Sequence, residues 1–378
     1  MRIIHSFVLI AIALSAIALT ACNVISSSAP TATPTVAIVQ PPIGVATSQP
    51  SSIPGSTAAP TPGADAGTTP TKVAFAVATE TPARAAAPTS TATTSAPRPA
   101  APTGKIAYSI STTPDDDPQF RSIWVANADG SNPRTLITYA WSPVFSPDGK
   151  QIAYYGKPRS APEGMYVANA DGGNPVLALN DATACCFNWS RDGAWIVYTD
   201  STVKTRPGGP IKLLKMDGLY KTITDLKVTG SNPVFSPDGK LIAYSGGEPN
   251  TTTLGIMVAP TDGSGAARVL TRDNGGNPHW SPDGRHIVYQ APSDDQHRQV
   301  FVVNADGSGR RRLTNGRGND IQPIYSRDGN LIFYRSDQNG TSWEIFVMNA
   351  DGSNPRRLIA NTPPHDKYWC WESLSVAP

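Results

Sequence analysis

An all-β fold, a six-bladed β-propeller of four-stranded blades, is predicted by three observations. Five segments share an aromatic residue, Ser, any residue, Asp, Gly, two free positions, Ile, any residue and Tyr: FSPDGKQIAY from Phe145, WSRDGAWIVY from Trp189, FSPDGKLIAY from Phe235, WSPDGRHIVY from Trp280 and YSRDGNLIFY from Tyr325. Their aspartates, Asp148, Asp192, Asp238, Asp283 and Asp328, are spaced by 44, 46, 45 and 45 residues. A second series, NADG or a relative of it, keeps the same spacing and ends at Gly130, Gly172, Gly218, Gly263, Gly307 and Gly352. Thirdly, apolar residues alternate as in strands (IWVANADG, VFVVNADG, IFVMNADG), and no stretch sustains a helical period. A unit of this length with four short strands cannot close its own core, whereas copies set radially pack sheet against sheet.

Within each period the first strand ends at the aromatic and the second runs through Ile-x-Tyr. The third precedes NADG, and the fourth follows it in a basic and apolar run such as RRLT. SPDG suits a type I turn with a left-handed glycine. The octapeptide NADGSNPR, present at Asn127 to Arg134 and again at Asn349 to Arg356, lacks the alternate oxygen ligands and distal Glu of a calcium loop and reads as a hairpin turn. At the start of the ring, GKIAY places Ile106 and Tyr108 in the second-strand positions, so the first blade lacks its inner strand. KYWCWES, whose Trp371 follows Tyr325 by 46 residues, is the segment expected to complete it.

Two further segments precede the propeller, which spans 104–378. Residues 1–22 read as a secretion signal: Arg2 is positive, Phe7 to Leu19 are apolar and LTAC closes the run, which is too short to span a bilayer comfortably. Leu19 to Cys22 resemble the bacterial lipobox, which implies diacylglycerol on Cys22. Residues 23–103 are almost all Ala, Thr, Pro, Ser, Val and Gly, too poor in large apolar groups to fold. At ~3.1 Å per residue in a polyproline II conformation, such a tether reaches about 250 Å. The expected location is therefore outside the cytoplasm, lipid-anchored to the outer face of the cytoplasmic membrane or to an outer membrane.

The repeat resembles that of the TolB-like six-bladed propellers, built on WSPDG followed by IAY, IYV, NADG and RRLT-like strands, and the resemblance covers residues 104–378. TolB carries an α/β domain ahead of its propeller and works in a periplasmic envelope complex; here a tether stands in that place. Related propellers also serve peptidases and sugar lyases, so the fold does not select a function.

Acidic and basic residues are equal in number beyond Thr103, which argues against nucleic acid as a partner. The chain has no GxSxG elbow and no HExxH. The loops entering the inner strands and those joining second to third strands share one end of the ring and carry Asp115, Asp116, Asp117, Asp181, Asp200, Glu248, Asp273, Asp294, Asp295, Asp320, Asp337 and Asp366, with Tyr139, His297, His365, Tyr368 and Trp369 nearby. Such a rim suits a cation, a sugar or a basic peptide, calcium being the cation it would take; otherwise it is a solvated loop edge. No other cofactor is expected. His279 falls on an inner strand, as a packing residue or a channel residue. Arg310 to Arg312 open a fourth strand, where repelling charge guards an edge. Cys185, Cys186 and Cys370 lie in an exported domain, where a disulfide between Cys186 and Cys370 or between the adjacent pair competes with zinc binding. The function these features favour is a monomeric, non-catalytic propeller that binds an envelope protein or peptide. The enzyme alternative is a glycan-active or lyase-type propeller using His279 or His365 with loop acids and a metal.

Overall fold

The computed structural model describes residues 102–111, 121–201, 208–248, 251–294, 297–340, 342–362 and 373–378. Among them there are strands and turns and no α-helix. The repeated motifs build the turns by their own side chains. In FSPDGKQ, Ser146 Oγ donates to Asp148 Oδ1 at 2.7 Å, and Asp148 Oδ1 accepts the Lys150 N–H at 3.0 Å. Gly149, at φ +70°, closes the turn onto the Ser146 carbonyl at 2.9 Å. The same Ser–Asp bond recurs at Ser190, Ser236, Ser281 and Ser326, so Ser and Asp at this spacing are a folding instruction. In NADGSNPR, Asp129 Oδ1 accepts from the Ser131 N–H, and the Gly130 N–H returns to the Asn127 carbonyl.

The strands are β1 (Lys105–Ser111), β2 (Arg121–Asn127) and β3 (Arg134–Thr138); β4 (Ala140–Phe145), β5 (Gln151–Gly156), β6 (Gly164–Asn169) and β7 (Val176–Leu179); and β8 (Ala184–Trp189), β9 (Trp195–Asp200), β10 (Gly209–Lys215) and β11 (Ile223–Phe235). They continue with β12 (Leu241–Gly247), β13 (Leu254–Pro260) and β14 (Arg268–Val269); β15 (Gly276–Trp280), β16 (His286–Pro292), β17 (Arg298–Asn304) and β18 (Arg311–Arg312); and β19 (Asp320–Tyr325), β20 (Leu331–Ser336), β21 (Trp343–Asn349), β22 (Arg356–Thr362) and β23 (Leu374–Ala377). Four sheets have four antiparallel strands, in the orders β23-β1-β2-β3, β4-β5-β6-β7, β15-β16-β17-β18 and β19-β20-β21-β22. A seven-stranded sheet runs from β8 to β14 through β11. Residues 223–230 of β11 pair with β10, and Ser231 to Phe235 pair with β12. The two halves of this sheet pack on each other through Val197, Ile211, Phe235 and Ile242.

The sheets follow one another around a propeller, and the ring is closed. Ile106, Tyr108 and Ala126 of the first sheet share an apolar cluster with Phe333, Ile345 and Val347 of the last. Burying one such Ile or Phe side chain contributes about 1.5–3 kcal/mol. Arg335 Nη2 donates across the same seam to the Ser109 carbonyl at 2.9 Å. A Cβ on Gly130, the glycine of the first NADGSNPR turn, would stand 2.5 Å from the Leu358 carbonyl oxygen of the last sheet. The repeated octapeptides thus flank the closure.

The closing strand differs from the expected one. It is Leu374 to Ala377, with Ala377, Val376, Ser375 and Leu374 opposite Lys105, Ile106, Ala107 and Tyr108. Elsewhere the residue opposite the recurring Ile is the aromatic of the repeat, as in Phe145↔Ile152 and Trp280↔Ile287. Val376, not Trp371, therefore occupies that place. Val376 replaces the aromatic that marks the register of the other inner strands. Side chains of the closing strand set its register instead: Ser375 Oγ accepts the Phe145 N–H at 2.9 Å, and Ser373 Oγ donates to the Pro143 carbonyl at 2.9 Å. Lys367 to Glu372 lie outside the described residues.

Candidate functional site: the axial cavity and its mouths

The inner strands β4, β8, the second half of β11, β15, β19 and β23 enclose a cavity of about 750 Å³. Each of the first five carries the same distortion three residues before its aromatic. Ser142, Cys186, Asn232, Asn277 and Gln322 have φ between 51° and 62°, and the register with the second strand slips at each. These are β-bulges, and they turn Ser142, Cys186, Asn232, Asn277 and Gln322 onto the cavity wall. The strand behind supports them: the N–H groups of Ser142, Asn277 and Gln322 donate to Ser109 Oγ, Ser245 Oγ and Gln290 Oε1 at 3.0, 3.1 and 2.7 Å. Those acceptors directly follow the Tyr of each Ile-x-Tyr motif. The polar residue after that Tyr was the available sequence signal for the bulges.

His279 lies on this wall, and its Nδ1 accepts the Tyr325 N–H at 3.3 Å. Burial pulls its pKa down to about 4, so the ring is neutral at pH 7 with one nitrogen engaged in the seam between two sheets. Asn188 Oδ1 does the same for the Phe235 N–H at 3.1 Å. His279 is therefore a strut as well as a wall residue.

At the SPDG end, Arg191 and Arg327 line the cavity where the other turns carry Pro147, Pro237 and Pro282. Arg191 Nη1, after β8, donates to the Pro282 carbonyl after β15 at 3.0 Å. Burial and then Arg191 hold Arg327 below its ordinary pKa, with Asp148 opposing them. The exchange of Pro for Arg in the two SRDG segments is the sequence signal for this arginine pair.

At the loop end the acids are mostly spent on local structure. Asp181 Oδ1 accepts the N–H and hydroxyl of Thr183. Asp200, buried, accepts from Thr183 Oγ1 and pairs with Lys212 Nζ at 2.5 Å. Asp273 Oδ2 takes the Tyr289 hydroxyl and Arg310 Nε, each at 2.8 Å, and the Arg310 guanidinium stacks over Phe301 at 4.1 Å. Glu248 pairs with Arg272 at 3.1 Å, and Asp337 accepts from the Asn319 side chain at 2.9 Å. Asp320 is buried, and desolvation raises its pKa. Asp294 is exposed, and Arg159 sits 5.1 Å above the Tyr139 ring. Among the described residues, no three His, Cys, Asp or Glu are placed to hold a metal ion. Cys22, Asp115, Asp116, Asp117, Asp295, His365, Asp366, Trp369 and Cys370 lie outside the described residues.

On β8, Cys185 and Cys186 are both buried, with their sulphurs 3.0 Å apart; Cys185 Sγ is 3.2 Å from Ser201 Oγ. No described helix is long and apolar enough to cross a membrane.

Comparison with known proteins places the fold. The model of the TolB beta propeller domain matches residues 232–369. TolB from Acinetobacter baumannii is similar with a TM-score of 0.60 at 18% identity, over 73% of this chain and 67% of that one. A TolB from Agrobacterium tumefaciens gives 0.53 at 20%, over 73% and 99%. The Kuenenia stuttgartiensis hydrazine synthase gives 0.53 at 16%, over 72% and 46%. None of the curated proteins matches the sequence. The domain match and these structural likenesses support a TolB-like β-propeller fold.

Proposed function

We propose that this chain is an exported propeller, anchored through lipid on Cys22, that binds an extended segment of an envelope protein at its axial cavity without catalysing a reaction. The observation that carries this reading is the cavity of about 750 Å³, walled by the bulge residues of the inner strands. That volume and mixed lining suit a peptide strand rather than a small apolar ligand. Arg191 and Arg327 line the cavity at its SPDG end, together with Asp148 and Asp192. A binding role is favoured over a lyase role because His279 already spends a ring nitrogen on the seam to Tyr325. The ring has six blades in this reading. Support comes from the six NADG-type turns, and from a seven-stranded sheet whose shared strand β11 pairs its two halves with different neighbours.

A photo-crosslinking residue at Asn277, on the cavity wall, tests this in whole cells against the same residue at Val176, exposed on an outer strand. A discrete protein adduct from position 277 and none from 176 is the expected result. No adduct at 277, or the same products from both positions, refutes the cavity as the binding site. Fatty-acid labelling lost in Cys22→Ser tests the anchor separately.

A further inference from the structure

Adjacent residues on a regular strand point to opposite faces, which keeps neighbouring cysteine sulphurs far apart. On β8 they lie 3.0 Å apart. The bulge is the cause: Cys186 has φ +62°, and the pairing with β9 slips between Cys185 and Asn188. The equivalent pairs in the other described bulges are Trp141-Ser142, Ser231-Asn232, Gly276-Asn277 and Ile321-Gln322. A second difference sits one residue on. Pro143, Pro233, Pro278 and Pro323 follow those bulges, whereas Phe187 follows Cys186. A proline restricts the backbone of the residue before it, so Cys186 keeps a freedom that its counterparts lack.

We propose that Cys185 and Cys186 are a redox modification site, closing to an adjacent-residue disulfide on the wall of the axial cavity. A disulfide is about 2 Å long, so the sulphurs need approach by only about 1 Å. Cys186 lines the cavity and meets the oxidant, a small-molecule disulfide such as oxidised glutathione. Its thiolate attacks one sulphur of that disulfide, forming a mixed disulfide and expelling one glutathione thiolate. Cys185 Sγ then attacks the Cys186 sulphur and expels the second. Two protein thiols are oxidised, one disulfide is reduced to two thiols, and the two protons pass to the departing thiolates. Ser201 Oγ, 3.2 Å from Cys185 Sγ, is placed to donate to the thiolate that makes the second attack. The site is independent of the binding reading above.

The wild-type chain suffices for the test, because trypsin releases residues 160–191, which hold both cysteines and exclude Cys370. The native protein is treated with oxidised glutathione, alkylated with N-ethylmaleimide under denaturing conditions and digested. The expected peptide is unalkylated and about 2 Da lighter than the dithiol form, and dithiothreitol restores two alkylation sites. In Cys185→Ser the reaction should stop at a glutathione adduct on Cys186. Two alkylated cysteines after oxidation, a lasting adduct in the wild type, or linkage to the peptide holding Cys370 overturns the proposal.

Discussion

Two kinds of seam hold successive sheets together, and they differ at one position, the residue before each inner-strand aromatic. Ser375, Asn188 and His279 put a side-chain acceptor there, and each takes the backbone N–H of the next inner strand, from Phe145, Phe235 and Tyr325. Val144, Val234 and Ile324 hold the same place at the intervening seams and can accept nothing by side chain. Two of those seams are met by a Trp, and at the third Val376 stands in the aromatic's place. Trp189 Nε1 donates to the Val144 carbonyl at 3.2 Å, while Trp280 Nε1 has no hydrogen-bond partner among the described residues. Polar ties thus alternate with apolar contacts at this position around the inner strands.

The largest effect should come from the seam that closes the ring. Deleting residues 373–378 removes Ser375, Leu374 and Val376 together and should cost more than about 4 kcal/mol in denaturant titration, with loss of the single transition. If the domain keeps its transition and midpoint, the closing strand is dispensable. The next largest is a pH effect at the His279 seam. His279 titrates near 4 in the fold against 6.5 free, so the unfolded chain binds more protons between those values, and stability should fall as pH drops from about 6.5 toward 4. The loss is at most about 3 kcal/mol, reduced by the open cavity side of the ring. His279→Asn, which keeps an acceptor and cannot titrate, should lack this part of the pH dependence; an identical profile would remove histidine from the account.

Asn188→Leu strands the Phe235 N–H and should cost about 2 kcal/mol, against about 1 kcal/mol for Ile324→Val at an apolar seam. Equal costs would erase the distinction between seams. Of the two Trp residues, Trp189→Phe should be worse than Trp280→Phe by about 1 kcal/mol, because only the first loses a hydrogen bond. Smallest of all, Glu248→Gln breaks an exposed pair with Arg272 and should shift stability by less than about 0.5 kcal/mol. A larger shift would mean that the loop rim carries structural load.

The fold was legible because the turns announce themselves. Ser and Asp of each SPDG bond one another, and the motif, its spacing and the alternation beyond it all report the same local physics. The closing strand was misplaced by five residues because a Trp at the usual interval was the stronger signal, yet an aliphatic residue, Val376, fills the place. The candidate site was less legible. Acids gathered in loops of one end looked like a binding rim, but what Asp181 and Asp273 do depends on Thr183, Tyr289 and Arg310, the last two of which are remote in sequence. The bulges, by contrast, arise where backbone geometry departs from a strand, and a string such as NPVF does not state its φ angles. Arg191 and Arg327 were visible as exceptions to SPDG; their convergence on one cavity mouth was not.

Strand β11 has a consequence for how a ligand would approach. At Asp181 and Asp273 the passage to the next inner strand is a loop, and at Tyr139 it is a single residue between β3 and β4. Between β10 and β12 the chain crosses as unbroken strand for 13 residues and adds no loop there. A filamentous guest seated on the axis would meet hydrogen-bonded strand rather than loop along that sector.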